Sequence, residues 1–174
     1  MGVEIRLPGT PDWGNPHLVS FERSELLYRD ASLVDVISHA RASLCYLATP
    51  YSKLCVTDDG EWSQVDSLFC ASQAARWSRI LAVEGITAIS PIIQSVEMVH
   101  VDFDEWLDPL DARFWADWCQ PLLNACGPVI VPPLDGWQES LGVWQEVLFA
   151  LRSNRPVFLI DQKEAPHLAW WLDE

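Results

Sequence analysis

Four short apolar runs, each stopped by proline or a turn, punctuate the chain and limit the folds open to it more than any other feature. They are Ser43–Thr49 (SLCYLAT, closed by Pro50), Ile86–Ile92 (ITAISPI), Pro128–Val131 (PVIV, closed by Pro132-Pro133) and Pro156–Ile160 (PVFLI). Nearly continuous apolar runs of this length, without polar alternation, mark strands buried on both faces. Between them lie segments whose apolar residues recur at helical spacing. Glu61–Glu84 carries Val65, Leu68, Phe69, Ala75, Ile80 and Leu81 and ends at Gly85, Ala112–Ala125 ends before Gly127, and Ser140–Ser153 starts on a serine suited to cap a helix. The acidic stretch 93–112 reads as irregular. Strands alternating with helices imply right-handed βαβ crossovers and a parallel sheet covered on both sides. The fold class is therefore α/β, a single-domain doubly wound parallel sheet of the Rossmann or flavodoxin type.

Residues 1–42 stand apart as an N-terminal extension. It opens rich in Pro and Gly and ends in a short amphipathic helix over Ala31–Arg41, with the main domain at 43–174. A chain of 174 residues, 49% apolar and 21% charged, is long enough for one substantial core. No run of about 18 apolar residues occurs, and the N-terminus lacks a basic start and an apolar h-region, so a cytoplasmic protein that does not engage membranes is expected. The five cysteines are odd in number and scattered, with no zinc-ligand spacing, and read as reduced, mostly buried thiols. Net charge is −14, and between Glu97 and Leu151 Arg113 is the only Arg or Lys against ten carboxylates. Such a field repels a polyphosphate backbone, which excludes nucleic acid as a partner. A single phosphate is still compatible, because a helix N-terminus can hold one through its N–H groups.

In a doubly wound sheet the ligand sits beyond the carboxyl ends of the strands. That rule selects Thr49–Lys53, Ser90–Ser95 and Pro132–Gly142, and with them Thr49, Pro50, Ser90, Trp137 and Gly142 as candidate substrate-binding residues. The most informative stretch is Leu134–Ala150 (LDGWQESLGVWQEVLFA), where a Gly/Trp turn leads to Ser140, Gly142 and then Glu146. Glu146 would share its helix face with Gly142, Val143, Phe149 and Ala150 rather than with Gln145 and Arg152.

The Ser-Leu-Gly-Val-x-x-Glu spacing, with the strand opener Tyr46-Leu47-Ala48-Thr49-Pro50-Tyr51, resembles the nucleoside 2-deoxyribosyltransferase-like group. The motif is also similar to that of deoxynucleoside monophosphate N-hydrolases. Over residues 43–161 the chain resembles a small uncharacterised, DUF1937-like bacterial and phage subfamily of that group. The resemblance implies N-glycosidic bond cleavage or transfer on a nucleoside 5′-monophosphate or nucleoside, without metal or redox cofactor. Glu146 would be the nucleophile, Tyr46 would position it, and Ser140 would hold the 5′ end of the sugar. The transferases carry aspartate at the Ser140 position, which suits a 5′-hydroxyl, whereas an uncharged cap suits a 5′-phosphate. The resemblance also implies a homodimer or higher homo-oligomer, with the tail HLAWWLDE as a candidate contact.

One departure stands out. The group places an aspartate that assists protonation of the leaving base where this chain has Cys119, and Asp117, on another side of the helix, cannot replace it. A catalytically weakened nucleotide-binding or protein-interaction module is the alternative reading. Each candidate also has a plainer role: Glu146 a solvated helix residue, Ser140 a cap, Tyr46 core. His100, Asp102 and Asp104 alternate along HVDFD, which fits either ligands on one side of an extended segment or a solvated strand face.

Overall fold

The strands that the apolar runs mark assemble into one parallel sheet in the computed structural model, which describes residues 7–102 and 106–165. In chain order the elements are α1 (Leu18–Arg23), β1 (Leu27–Ala31), α2 (Leu33–Ala40), β2 (Leu44–Leu47), α3 (Gln64–Val83), β3 (Thr87–Ile89), α4 (Pro91–Val101), α5 (Ala112–Ala125), β4 (Val129–Val131), α6 (Leu141–Arg152) and β5 (Val157–Ile160). The strand order is β1-β5-β4-β2-β3, and every pairing is parallel. This is the α/β, Rossmann or flavodoxin-like architecture. The chain runs outward from β2 to β3, returns across β2 to β4 and continues to β5, so the winding reverses between β2 and β4. A crevice opens at such a reversal, at the carboxyl ends of the strands.

Alternation along the strands divides the core in two. Tyr46, Ala48, Val129, Val131, Val157 and Leu159 face α6 and the end of α5, among Val143, Trp144, Val147 and Leu123. Cys45, Leu47, Ile130, Phe158 and Ile160 face α2 and α3, among Val36, Ala40, Trp77 and Leu81. No strand residue of β2, β4 or β5 is exposed, which is why these segments carry no polar alternation. Among the described residues no helix is long and apolar enough to cross a membrane.

Three differences from the sequence reading follow from local physics. Pro91 lies at the first position of α4 rather than inside a strand, because its fixed φ and missing N–H suit the start of a helix. The strand there is correspondingly only three residues, and the segment read as irregular from 93 is helical to Val101. Before residue 43 the chain adds more than one short helix. The capping box of Ser32 and Asp35 starts α2, but α1 and the edge strand β1 also form. β1 pairs with β5 alone, and Trp13 and Leu18 join the core beside α6.

Candidate active site

A cavity of about 410 Å³ lies at the carboxyl end of β2, walled by α4, α5 and α6. Tyr46, at the core face of β2, reaches its floor, while Glu146 enters from α6, six residues beyond the N-cap Ser140. The Tyr46 hydroxyl donates to Glu146 Oε1 at 2.5 Å across 100 residues of sequence. Glu146 keeps part of its surface open to the cavity, but the protein packed around it strips away most of its water. That desolvation raises its pKa to about 7, although the Tyr46 bond favours the carboxylate. Burial, followed by the charge of Glu146, pushes the Tyr46 phenol far above its ordinary range and keeps it a donor.

Cys119, on α5, lines the same cavity, on the side of the Tyr46 hydroxyl. Its thiol is pushed up to about 11, first by burial and then by the neighbouring Glu146 charge, so it stays protonated at neutral pH. The position where the sequence lacks an aspartate is thus inside the pocket, beside the Tyr46–Glu146 pair.

At the other end of the cavity, Ser140 caps α6 by accepting from the Val143 N–H at 3.3 Å. Its backbone is extended, as an N-cap requires, and no acidic residue occupies the first turn. Leu141 and Gly142 are exposed there, and a Cβ at Gly142 would meet nothing nearer than Ser140 Oγ at 3.9 Å. Of the first-turn N–H groups, that of Val143 is taken by the cap, and those of Leu141 and Gly142 belong to exposed residues that line the cavity. Among the described residues, Lys53, in the loop after β2, is the one Lys or Arg that lines the cavity.

Of the residues selected from sequence, Glu146, Tyr46, Ser140, Gly142 and Thr49 line the cavity, and Pro50, Ser90 and Trp137 do not. Pro50 is buried below the strand end. Trp137 packs edge-on against Trp13, with ring centroids 4.8 Å apart, so its ring belongs to the core margin. Ser90 is the N-cap of α4, yet its buried hydroxyl has no partner, as is also true of Thr49. Ile92 and Ser95, inside the selected segment Ser90–Ser95, reach the cavity from α4 together with Val99, which sequence reasoning passed over along with Leu110 and Gln120; Trp115 lines it as well. The signal for the α4 residues was the i, i+3, i+7 spacing of Ile92, Ser95 and Val99 after a helix-opening proline.

His100 and Val101 end α4 as helix, so the HVDFD segment is not extended there, and Asp104 lies outside the described residues. Among the described residues no three His, Cys, Asp or Glu side chains gather as a metal site. The tail HLAWWLDE also lies outside them.

A cavity with a half-enclosed carboxylate, a phenol holding it, a helix N-terminus and apolar walls can bind a small polar molecule and direct one nucleophile at it. The model of a domain of unknown function, DUF1937, matches residues 43–162, which hold every one of these groups. No curated protein and no solved structure matches the chain.

Proposed function

The chain belongs to the DUF1937 family, and from that premise we propose that its cavity cleaves or transfers the N-glycosidic bond of a nucleoside 5′-monophosphate or a (deoxy)nucleoside. The observation that carries this reading is the Tyr46–Glu146 hydrogen bond inside a cavity of nucleotide size. It accords with the resemblance of the Ser140-to-Glu146 motif and the Tyr46 strand opener to the nucleoside 2-deoxyribosyltransferase-like group.

Cleavage of such a bond passes through an oxocarbenium-like state, which a nearby carboxylate stabilises and traps as a glycosyl ester. Glu146 is the nucleophile in this scheme. Its pKa near 7 leaves a usable fraction ionised at neutral pH while keeping it a stronger base than an exposed glutamate. Tyr46 is the positioning residue, fixing one carboxylate oxygen and leaving the other for the anomeric carbon. Ser140 and the open first turn of α6 receive the 5′ end, with the helix dipole favouring a phosphate there. Trp115, Leu110 and Val99 give the base an apolar slot opposite. Water or a second base completes the reaction, giving hydrolysis or transfer.

Cys119 favours a second reading, a nucleotide-binding module with weakened chemistry. A thiol held near pKa 11 is a poor proton donor to a departing base compared with a carboxylic acid. Incubation with a panel of nucleosides and their 5′-monophosphates separates the two, because release of free base supports the enzyme and saturable binding without release supports the module. The protein is also proposed to be at least a dimer, since Val65, Leu68 and Phe69 form an apolar stripe on α3 exposed at 77%, 49% and 57%. A monomeric mass by light scattering at micromolar concentration would overturn that.

A further inference from the structure

Away from the catalytic pair, the described residues bring two thiols together. Cys55 lies in the loop between β2 and α3, and Cys70 lies two turns into α3. Both are buried and free, and the Cys55 thiol donates to Cys70 Sγ at 3.6 Å. The same loop and the same helix face meet a second time, because Tyr51 Oη is 2.8 Å from Ser67 Oγ, three residues before Cys70. Two backbone bonds tie Cys55 into this loop. Its N–H donates to the Tyr51 carbonyl at 3.1 Å, and its carbonyl accepts from Ser63, the N-cap of α3, at 2.8 Å. Tyr51, Ser52 and Lys53 are cavity-lining residues, so a shift of Cys55 is passed through the loop to the cavity wall.

We propose that Cys55 and Cys70 form an oxidisable dithiol, with a hydroperoxide as oxidant, whose disulfide form fastens the loop to α3 and alters the cavity mouth. The Cys70 sulfur attacks the peroxide oxygen, the O–O bond breaks, and an alcohol or water leaves, giving the sulfenic acid. The Cys55 sulfur then attacks Cys70 Sγ, the S–S bond forms, the S–O bond breaks and water departs. Two electrons pass from the thiol pair to the peroxide. A disulfide is about 2.05 Å long, so the sulfurs must close by roughly 1.5 Å. The loop side is the one to yield, being held by turns, the Val56–Trp62 bridge and the few bonds of Tyr51 and Cys55 rather than by a helical ladder. The donated hydrogen bond from Cys55 favours the thiolate on Cys70, whereas burial pushes the Cys45, Cys119 and Cys126 thiols up.

The test needs no substrate and so stands apart from the glycosidase reading. Folded protein is treated with hydrogen peroxide, alkylated, and mapped by peptide mass. The expected product is a Cys55–Cys70 link with a loss of about 2 Da, reversed by dithiothreitol. Three of the five thiols then remain for alkylation in denaturant. Closing this 15-residue separation should raise Tm by about 5–10 °C, and amide exchange over residues 51–63 should slow. Cys45→Ser should oxidise like the parent, and Cys55→Ser should stop at a sulfenic acid on Cys70 that a carbon nucleophile captures. A gain of oxygen at Cys70 without the link, a link only in unfolded protein, or a link that leaves exchange over 51–63 unchanged overturns the proposal.

Discussion

Two strand-to-helix turns at the carboxyl edge of the sheet begin alike and end differently. At β3–α4 the chain passes from Ile89 to the N-cap Ser90 and at once into the helix. At β4–α6 a loop of eight residues precedes the N-cap Ser140. Ser90 is 5% exposed and its hydroxyl caps nothing, while Ser140 caps α6 and borders the cavity. Six residues beyond each cap the contrast sharpens. α4 places Val96 there, buried in the core, and α6 places Glu146, aimed at Tyr46. The same device thus serves packing on one side of β2 and, on the other, sets the carboxylate on which the proposed chemistry rests. The difference comes from the longer loop, which holds the α6 terminus open, and from one carboxylate at a position where a valine would be more stable.

The largest break in ligand selectivity should come from Ser140→Asp. A carboxylate beside the α6 N-terminus would repel a 5′-phosphate, so monophosphate affinity should fall about 10–100-fold relative to the matching nucleoside. Calorimetric titration of both ligands checks it, and an unchanged ratio would remove the phosphate from the account. Tyr46→Phe takes the donor from Glu146, so the carboxyl pKa should climb above 7. Turnover at pH 7 should drop about 10-fold and recover in part at higher pH, which a purely structural lesion would not do.

Glu146 also carries a cost in stability with a definite sign. Its pKa is raised from 4.5 to about 7, so the folded protein holds this proton more tightly than the unfolded chain does. The resulting stabilisation is present in full below about pH 4.5 and is lost as pH rises through about 7, a change of roughly 3 kcal/mol. Glu146→Gln, which stays neutral, should therefore raise Tm by about 4–8 °C at pH 8 and by little at pH 5. Calorimetric scans at the two pH values test this. The smallest effect belongs to the other turn. Ser90→Ala removes a buried hydroxyl without a partner, so Tm should rise by about 2–4 °C with ligand affinity unchanged.

The parts of the fold legible in sequence are those where burial is one-sided or complete. β2, β4 and β5 read as strands because they are covered on both faces, α5 reads as a helix because its Trp- and Leu-rich stretch runs up to Gly127, and α6 because Ser140 caps it and an apolar face repeats. β1 was not legible because an edge strand buries only its ends, leaving Arg29 and Asp30 exposed within LYRDA. α4 was hidden because Pro91 closes a strand pattern and opens a helix with the same residue. Without that helix the strand-end rule reached Ile92 and Ser95 only as part of a loop segment and missed Val99, one turn further on, whereas Glu146, Tyr46 and Ser140 stood out through their motif. Trp137 sits beside the motif in sequence, but Trp13, 124 residues earlier, draws its ring into the core margin, a contact no local pattern encodes.

The claim that Glu146 acts as a nucleophile inside this cavity is tested most directly by the pH dependence of base release, measured for the parent and for Glu146→Gln on one turned-over nucleotide. The account predicts a rate that rises with pH to a plateau, with a midpoint near 7, and that falls by about three orders of magnitude or more in the glutamine variant while the nucleotide still binds. A rate that does not change between pH 5 and 9, or a glutamine variant that releases base as fast as the parent, would contradict it.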